Sequence, residues 1–304
     1  MSETLLLRQV PSLWRRYLVL CKPKVVSLIL FTAVVGMLLS TPGMIPVDRF
    51  IMGSLGIALA AASGAAINHW FDQRIDAVME RTQGRPLPQG EIAPWQALTF
   101  AIGLGLASML LLTLWVNTLT AVLSLLSIIG YAVIYTVYLK RRTPHNIVLG
   151  GIAGAAPPVL GWVAITGEVS TEAFLLFLII FTWTPPHFWA LAIRRRAEYA
   201  RAGLPMLPVT HGVAFTKLNI LIYTLMLLAV TLLPFAIKMS GLLYLAAALV
   251  LGGGFIVQAW SLYRSPGDEL AMKTFGYSIF YLSALFAALL LDHYLQVLLS
   301  VPST

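Results

Sequence analysis

Residues 50–76 read FIMGSLGIALAAASGAAINHWFDQRID, an apolar run that ends in three regularly spaced polar side chains. The run is long enough to cross a bilayer about 30 Å thick as one helix. Asn68, Asp72 and Asp76 follow each other at intervals of four residues, which keeps them on one face of that helix. The stretch therefore predicts a membrane-spanning helix that carries an amide and two carboxylates at one end.

The composition extends this prediction to the whole chain. Hydrophobic residues make up 59% of the 304 residues and charged residues only 11%, whereas a soluble domain is about one quarter charged. The mean hydropathy is +0.85. The apolar runs are continuous, unlike the alternating segments of a membrane barrel. We predict an all-α polytopic membrane protein with nine spans, at about residues 25–41, 50–70, 95–116, 119–139, 147–166, 173–193, 217–237, 241–262 and 275–298.

The basic residues predict how the chain is oriented. Of the 20 lysines and arginines, 18 fall on the side of the N-terminus and two, Arg49 and Lys238, fall on the other. The positive-inside rule then places the N-terminus in the cytoplasm and the C-terminus across a bacterial-type plasma (inner) membrane. The net charge of +8 is explained by this asymmetry and by anionic lipid, so nucleic acid is not expected as a partner.

The same pattern predicts a simple domain organisation. A single transmembrane domain is expected over residues 25–298, after a cytoplasmic segment 1–24 and before a short tail 299–304. Residues 1–20 could form a short interfacial helix, with Leu5–Leu7 and Trp14 against lipid. The single cysteine, Cys21, excludes an internal disulfide and gives no metal-binding pattern.

The loop after the second span combines acids with bases. Asn68, Asp72 and Asp76 offer the oxygen ligands that Mg²⁺ prefers, together with substrate phosphates. Arg81 and Arg85 follow in RTQGRPL, and arginines bind phosphate oxygens through paired donors. The segment indicates a diphosphate site in which Mg²⁺ makes the diphosphate a better leaving group. The alternative is a solvated helix end with incidental charges.

A second polar cluster follows the fourth span. Tyr135 lies near the end of that span, and Lys140 follows it on the side of the acids. Lys140 could bind a phosphate, or it could be an ordinary cytoplasmic base. The glycine-rich stretch at 150–158, GGIAGAAPP, either brings two helix backbones close together or leaves space for a bulky ligand.

A third cluster begins in the sixth span and continues into the following loop, at residues 182–209, TWTPPHFWALAIRRRAEYARAGLPMLPV. Its proline pair is expected to kink the helix and release backbone carbonyls. His187 follows directly, and it could bind a haem iron, bond to a substrate, or bond to a released carbonyl. Glu198 comes after the span, where it could hold a second Mg²⁺ or pair with Arg194 or Arg201 at helical spacing.

Several motifs together resemble a known family. N-x-x-x-D-x-x-x-D after a second span is similar to the UbiA-type intramembrane prenyltransferases. Three longer segments resemble the protohaem IX farnesyltransferase branch of this family. They are ID-x-x-M-x-RT-x-x-RPLP, KRRTPHNIVLGGIAGAAPPVLG, and PPHFWALAI with EY-x-x-AGLPMLPV. The likeness extends from about Lys22 to the ninth span. It implies nine helices around a central cavity that is capped by cytoplasmic loops.

The resemblance also implies a reaction. Such enzymes transfer the farnesyl group of farnesyl diphosphate to the 2-vinyl group of haem b, with addition of water, and release haem O and diphosphate. The implied cofactor is Mg²⁺. The implied partners are membrane lipid and either the next haem-modifying enzyme or oxidase assembly. The side chains expected at the substrates are those of Asn68, Asp72, Asp76, Arg81, Arg85, Tyr135, Lys140, His187 and Glu198.

The sequence departs from the family pattern at one place, and two other functions are compatible with it. Wider relatives carry a second aspartate pair after the sixth helix, where this chain has Glu198, which leaves one or two Mg²⁺ open. A related enzyme that prenylates a quinone precursor is the first alternative, and His187 argues against it. A haem transporter or membrane chaperone is the second, and it predicts internal repeats and polar residues near mid-membrane. Acids at the edge of a span favour the enzyme.

Overall fold

The computed structural model describes residues 12–300, and all regular structure within them is helical. The first half contains α1 (Leu13–Leu20), α2 (Pro23–Leu39), α3 (Val47–Asp76), α4 (Pro94–Trp115), α5 (Thr118–Ile129), the π-helix π1 (Gly130–Leu139) and α6 (Lys140–Arg142). The second half contains α7 (Asn146–Ala155), α8 (Pro157–Thr166), α9 (Thr171–Arg194), α10 (Arg196–Arg201), α11 (Leu207–Thr210), α12 (Gly212–Ala236), α13 (Leu242–Arg264) and α14 (Leu270–Ser300). The predicted all-α class is confirmed.

The membrane spans agree with the sequence pattern. Among the described residues, eight helical segments are long and apolar enough to cross a bilayer, with α5, π1 and α6 forming one and α7 with α8 another. A ninth is obtained when α1 and α2, which are bent by 51°, are counted as one span. The chain is thus a multi-pass membrane protein, as predicted.

One span is longer than its approximate predicted bounds. The second span was placed at about residues 50–70, whereas α3 runs over Val47–Asp76, so all three polar side chains lie on this helix. The helix extends because its polar last turns find partners. Asn68 donates to Asp72, and Arg85 donates to Asp76, so the two acids are stabilised within helical backbone.

Glycines bring α2 and α8 into backbone contact. A Cβ added to Gly36 would collide with the carbonyl of Pro158, and one added to Gly161 would collide with the carbonyl of Ala33. Small residues let membrane helices approach this closely, which increases van der Waals contact where no hydrophobic force acts between helices. In the glycine-rich stretch itself, a Cβ on Gly151 would lie 3.2 Å from the Thr184 methyl carbon. Close packing is therefore what these glycines provide.

The N-terminal helix α1 is amphipathic. Leu13 and Trp14 are 63% and 62% exposed, whereas Leu20 is fully buried. This arrangement fits the expected interfacial helix, since one face is free to contact lipid and the other packs on the protein. The predicted contribution of Leu5–Leu7 lies outside the described residues.

The polar ends of several helices meet on one side of the bundle. Lys140 reaches Asp72 on α3, and Arg201 on α10 reaches Glu80 in the loop after α3, at 3.3 Å. Arg196 forms a further ion pair at 3.1 Å with a residue of the turn between α13 and α14. The loops that follow the second and sixth spans are thereby joined over one end of the bundle. This is the end where the triad of Asn68, Asp72 and Asp76 lies.

Candidate active site

The site is centred on the last turns of α3. Asn68, Asp72 and Asp76 are only 4%, 2% and 4% exposed. The amide nitrogen of Asn68 donates to Asp72 Oδ2 at 2.8 Å. Burying two carboxylates is unfavourable unless each is paired or hydrogen-bonded. Buried acids at the end of a membrane span are therefore best explained by a function.

Three basic side chains from three parts of the chain converge on this triad. Lys140 Nζ donates to Asp72 Oδ2 at 2.6 Å, and Arg85 donates to Asp76 Oδ2 at 2.6 Å. Lys22 Nζ donates to Asn68 Oδ1 at 2.5 Å. Each polar group of the triad thus has its own cation. Arg85 and Lys140, which were predicted to bind phosphate oxygens, thus lie at the triad, and Lys22 is an addition.

One carboxylate oxygen of the triad is left without a protein partner. Asp72 Oδ1 is buried and makes no hydrogen bond among residues 12–300. A free carboxylate oxygen beside an amide and a second carboxylate fits a hard cation such as Mg²⁺. The described part of the chain contains no cluster of three or more His, Cys, Asp or Glu side chains that could hold a metal. A metal here would therefore take its remaining ligands from diphosphate oxygens and water.

The π-helix decides which side chains face the triad. Thr136 Oγ1 accepts a hydrogen bond of 3.1 Å from Asn68, and Lys140 bonds to Asp72. In an α-helix, at 100° per residue, Tyr131 and Lys140 would lie on opposite faces. A π-helix, with its i→i+5 bonds, has about 4.4 residues per turn, so these two positions are two turns apart on one face. Like many π segments, π1 lies at the candidate functional site.

A pair of tyrosines lines the site on π1. Tyr131 and Tyr135 are stacked, with ring centroids 5.8 Å apart and an interplanar angle of 12°. Gly150 on α7 lies directly against the Tyr135 ring, because a Cβ at this glycine would overlap the ring carbons. The glycine thereby allows Tyr135 to hold its orientation. Tyr135 lies on π1, four residues after Tyr131 and five before Lys140.

Glu198 does not form the predicted ion pair with Arg194 or Arg201. Its Oε1 atom is buried and has no hydrogen-bond partner among residues 12–300. Arg201 instead pairs with Glu80, at 3.3 Å. The break between α9 and α10 separates Arg194 from Glu198. Arg201 lies on the same short helix as Glu198, but the loop after α3 supplies it with another acid.

Tyr199 lies next to Glu198 and connects the two loops. Burial raises the pKa of its hydroxyl, although the nearby charges of Arg81 and Arg195 act in the opposite direction. The phenol is therefore a neutral hydrogen-bond donor at neutral pH. Arg81 is exposed and lies near Tyr199, whereas Arg85 contacts the triad directly. The two arginines of the first loop thus occupy different places.

His187 lies in a separate group of contacts. Its Nδ1 atom is 2.7 Å from Ser278 Oγ on α14, and its ring stacks between Trp183, at 4.2 Å, and Phe275, at 4.5 Å. It does not bond to a carbonyl released by the prolines, and α9 continues through both of them. Within residues 12–300, no hydrogen bond or ion pair joins His187 to the triad.

The sequence of the whole chain matches one protein family. Residues 29–290 match the profile of the UbiA prenyltransferase family, a range that contains the triad, Lys140, His187 and Glu198. The chain belongs to this family.

The curated relatives of this UbiA prenyltransferase match it over nearly their full length. The protoheme IX farnesyltransferase of Thioalkalivibrio sulfidiphilus is 66% identical over 94% of this chain and 95% of its own. That of Nitrosococcus oceani is 63% identical over 97% and 99%, and that of Azotobacter vinelandii is 58% identical over 98% and 100%.

Solved structures of the family share the fold. A UbiA homologue from Aeropyrum pernix superposes with a TM-score of 0.70 at 20% identity, covering 87% of this chain and 96% of its own. A UbiA homologue from Archaeoglobus fulgidus, bound to GPP and Mg²⁺, gives a TM-score of 0.60 at 18% identity, covering 90% and 99%. At such identities the likeness establishes the fold of this UbiA prenyltransferase.

Three site residues of this UbiA prenyltransferase were missed by sequence reasoning. Lys22 looks like an ordinary base before the first span, but in the structure it has a left-handed backbone (φ 50°) and bonds to Asn68. Thr136 lies among apolar residues of π1, and its bond to Asn68 is seen only in the folded structure. Ser278 lies in an apolar span, where a serine usually bonds to its own helix. None of the three carries a motif that the sequence alone could reveal.

Proposed function

We propose that this protein transfers the farnesyl group of farnesyl diphosphate to the 2-vinyl group of haem b, with addition of water, giving haem O and diphosphate. The names of the relatives at 58–66% identity support this reaction. The structural observation that carries it is the buried triad with its three cations. It is a site built for a diphosphate at the edge of the membrane, where a farnesyl tail can enter apolar surroundings.

The cations of the site are arranged to bind the diphosphate. Lys22, Arg85 and Lys140 are held within hydrogen-bond distance of the triad. When diphosphate enters, their N–H donors can turn to its oxygens, and charge-assisted bonds of this kind are among the strongest in proteins. Exposed Arg81 can supply a further contact from the loop. The acids remain available as ligands.

Mg²⁺ fits the oxygen atoms of the triad. Asn68, Asp72 through its free Oδ1, and Asp76 would hold it together with the diphosphate, and the Archaeoglobus homologue is described with GPP and Mg²⁺ bound. Bound there, Mg²⁺ neutralises the diphosphate and makes it a better leaving group. Glu198, with its buried and unpartnered Oε1, is the residue available for a second ion.

The tyrosines of π1 suit the step that follows. Cleavage of the bond between C1 and oxygen leaves an allylic cation, and the electron pair departs with the diphosphate. The faces of Tyr131 and Tyr135 can stabilise this cation. A vinyl carbon of haem b then bonds to C1, water adds to the resulting cation, and the water loses a proton. A dry pocket prevents earlier capture of the allylic cation by water.

His187 is the side chain proposed to contact the haem. It is half-buried, in the apolar part of the bundle, where a histidine needs a partner or a ligand. A small aromatic acid, the acceptor in the quinone alternative, offers no metal for it. We further propose a plasma-membrane location with the N-terminus in the cytoplasm, supported by the charge asymmetry of the sequence, and delivery of haem O to the next haem-modifying enzyme or to oxidase assembly.

The test is expression in cells that lack their own haem O synthase, followed by mass spectrometry of the extracted haems. We expect a new haem with the mass of haem b plus farnesyl and hydroxyl groups. A prenylated quinone precursor without haem O would favour the alternative enzyme. Unmodified haem b, with the protein present in the membrane, would contradict the proposal.

A further inference from the structure

Ser278 on α14 connects that helix to α9 through two of its atoms. Its hydroxyl oxygen lies 2.7 Å from His187 Nδ1, and its carbonyl accepts a 2.8 Å hydrogen bond from the indole of Trp183. The same hydroxyl donates to the carbonyl of Phe275, at 2.6 Å. A single buried serine thus bonds to the histidine and to the two residues whose rings stack on it. The bond to Trp183 is to its ring nitrogen, and the bond to Phe275 is to its backbone carbonyl.

These contacts determine the protonation pattern of His187. A serine hydroxyl has one proton to donate, and here that proton goes to the carbonyl of Phe275. The Ser278 oxygen must then accept from His187, so Nδ1 of the neutral imidazole carries the hydrogen. The other nitrogen, Nε2, is left with an unprotonated lone pair.

The surroundings of the ring leave Nε2 as its reactive edge. Trp183 and Phe275 cover the two faces of the imidazole, at 4.2 and 4.5 Å between centroids. Nε2 makes no hydrogen bond within residues 12–300. Nε2 is also not fully buried. In this it differs from both ring nitrogens of His69 and from the indole nitrogen of Trp189, which are buried without a hydrogen-bond partner. Its lone pair lies in the ring plane and is open to a ligand.

We propose that Ser278 is a positioning residue that fixes His187 as the Nδ1–H tautomer, so that Nε2 binds the iron of the haem b acceptor. This inference rests on the proposed function. A neutral histidine is a common haem ligand, and a hydrogen bond to its other nitrogen typically sets the orientation and basicity of such a ligand. Iron binding would anchor the porphyrin beside His187 while its vinyl group is alkylated.

Purified protein in lipid nanodiscs, titrated with haem b, tests this inference. His187→Ala should abolish the iron–histidine band in the resonance Raman spectrum of ferrous haem. Ser278→Ala should weaken haem b binding about five- to tenfold, as expected for one lost hydrogen bond, and should shift that band. Ser278→Thr, which keeps the hydroxyl, should restore both. Ser283→Ala is the matched control, since Ser283 is exposed on the same helix.

The outcomes separate this inference from the proposed reaction. An unchanged iron–histidine band in His187→Ala overturns the ligand, even if the wild type makes haem O. Loss of the band in His187→Ala but a wild-type spectrum and affinity in Ser278→Ala overturns the positioning role. Absence of haem O from wild-type cells would instead contradict the proposed function, which the spectra do not measure.

Discussion

Lys140 donates to Asp72 Oδ2 at 2.6 Å, although 68 residues separate them in the chain. The two side chains are 14% and 2% exposed, so the pair is largely shielded from water. A buried ion pair adds little net stability by itself, but loss of one partner leaves the other charge uncompensated. The pair therefore holds both side chains in place at the position where we propose that the diphosphate binds.

Lys140→Met should weaken diphosphate binding. The variant loses one charge-assisted donor and leaves Asp72 buried with one partner fewer, so KM for farnesyl diphosphate should rise roughly ten- to a hundredfold. Steady-state kinetics on purified protein measure this change. The matched control is Arg142→Met, because Arg142 is exposed and its guanidinium lies over the Tyr138 ring, at 5.3 Å from the ring centroid. Equal KM values for Lys140→Met and the control would remove Lys140 from the site.

Asp72→Asn should abolish haem O formation in membranes supplied with farnesyl diphosphate, haem b and Mg²⁺. The amide is nearly isosteric, but it cannot supply a charged oxygen to the metal and diphosphate, so kcat/KM should fall roughly a hundredfold or more. Asp48→Asn is the control, since Asp48 is exposed at the opposite end of the same helix. Full activity in Asp72→Asn would exclude it as a metal ligand.

Removal of divalent cations should stop the reaction reversibly. With excess chelator, the diphosphate keeps its full negative charge and remains a poor leaving group, so haem O formation should fall to background. Added Mg²⁺ should restore it, whereas Na⁺ at equal ionic strength should not. Activity that persists after exhaustive chelation would mean that Lys22, Arg85 and Lys140 alone activate the diphosphate.

The sequence predicted those features of the site that depend on local spacing. Asn68, Asp72 and Asp76 lie on one face because a helix repeats every 3.6 residues, and the apolar runs predicted the spans because a helix that rises about 1.5 Å per residue crosses a bilayer about 30 Å thick in about 20 residues. What it could not predict depends on long-range geometry. The pairing of Arg201 with Glu80 instead of Glu198, and the contact between His187 and Ser278, follow from how helices meet.

The π-helix shows this limit most clearly. No residue type in GYAVIYTVYL at 130–139 specifies an i→i+5 pattern, so an α-helix was assumed. Under that assumption Thr136 and Lys140 would not share a face with Tyr131. The polar bond from Asn68 to Thr136 and the ion pair at Lys140 stabilise the wider turn. Both partners come from α3, which only the folded structure brings near.

Gly150→Ala tests whether the Tyr135 orientation matters for catalysis. The added methyl would overlap the Tyr135 ring, and the ring must turn away from its stack with Tyr131, since overpacking forces side chains off their preferred positions. We expect kcat to fall about tenfold with little change in KM for farnesyl diphosphate, because the tyrosines act on the cation and not on the phosphates. Gly154→Ala on the same helix is the control, as no atom lies within 4 Å of its added Cβ. If both variants keep the wild-type kcat, Tyr135 has no part in stabilising the cation. If KM alone rises, the stack serves to bind the substrate and not to promote its ionisation.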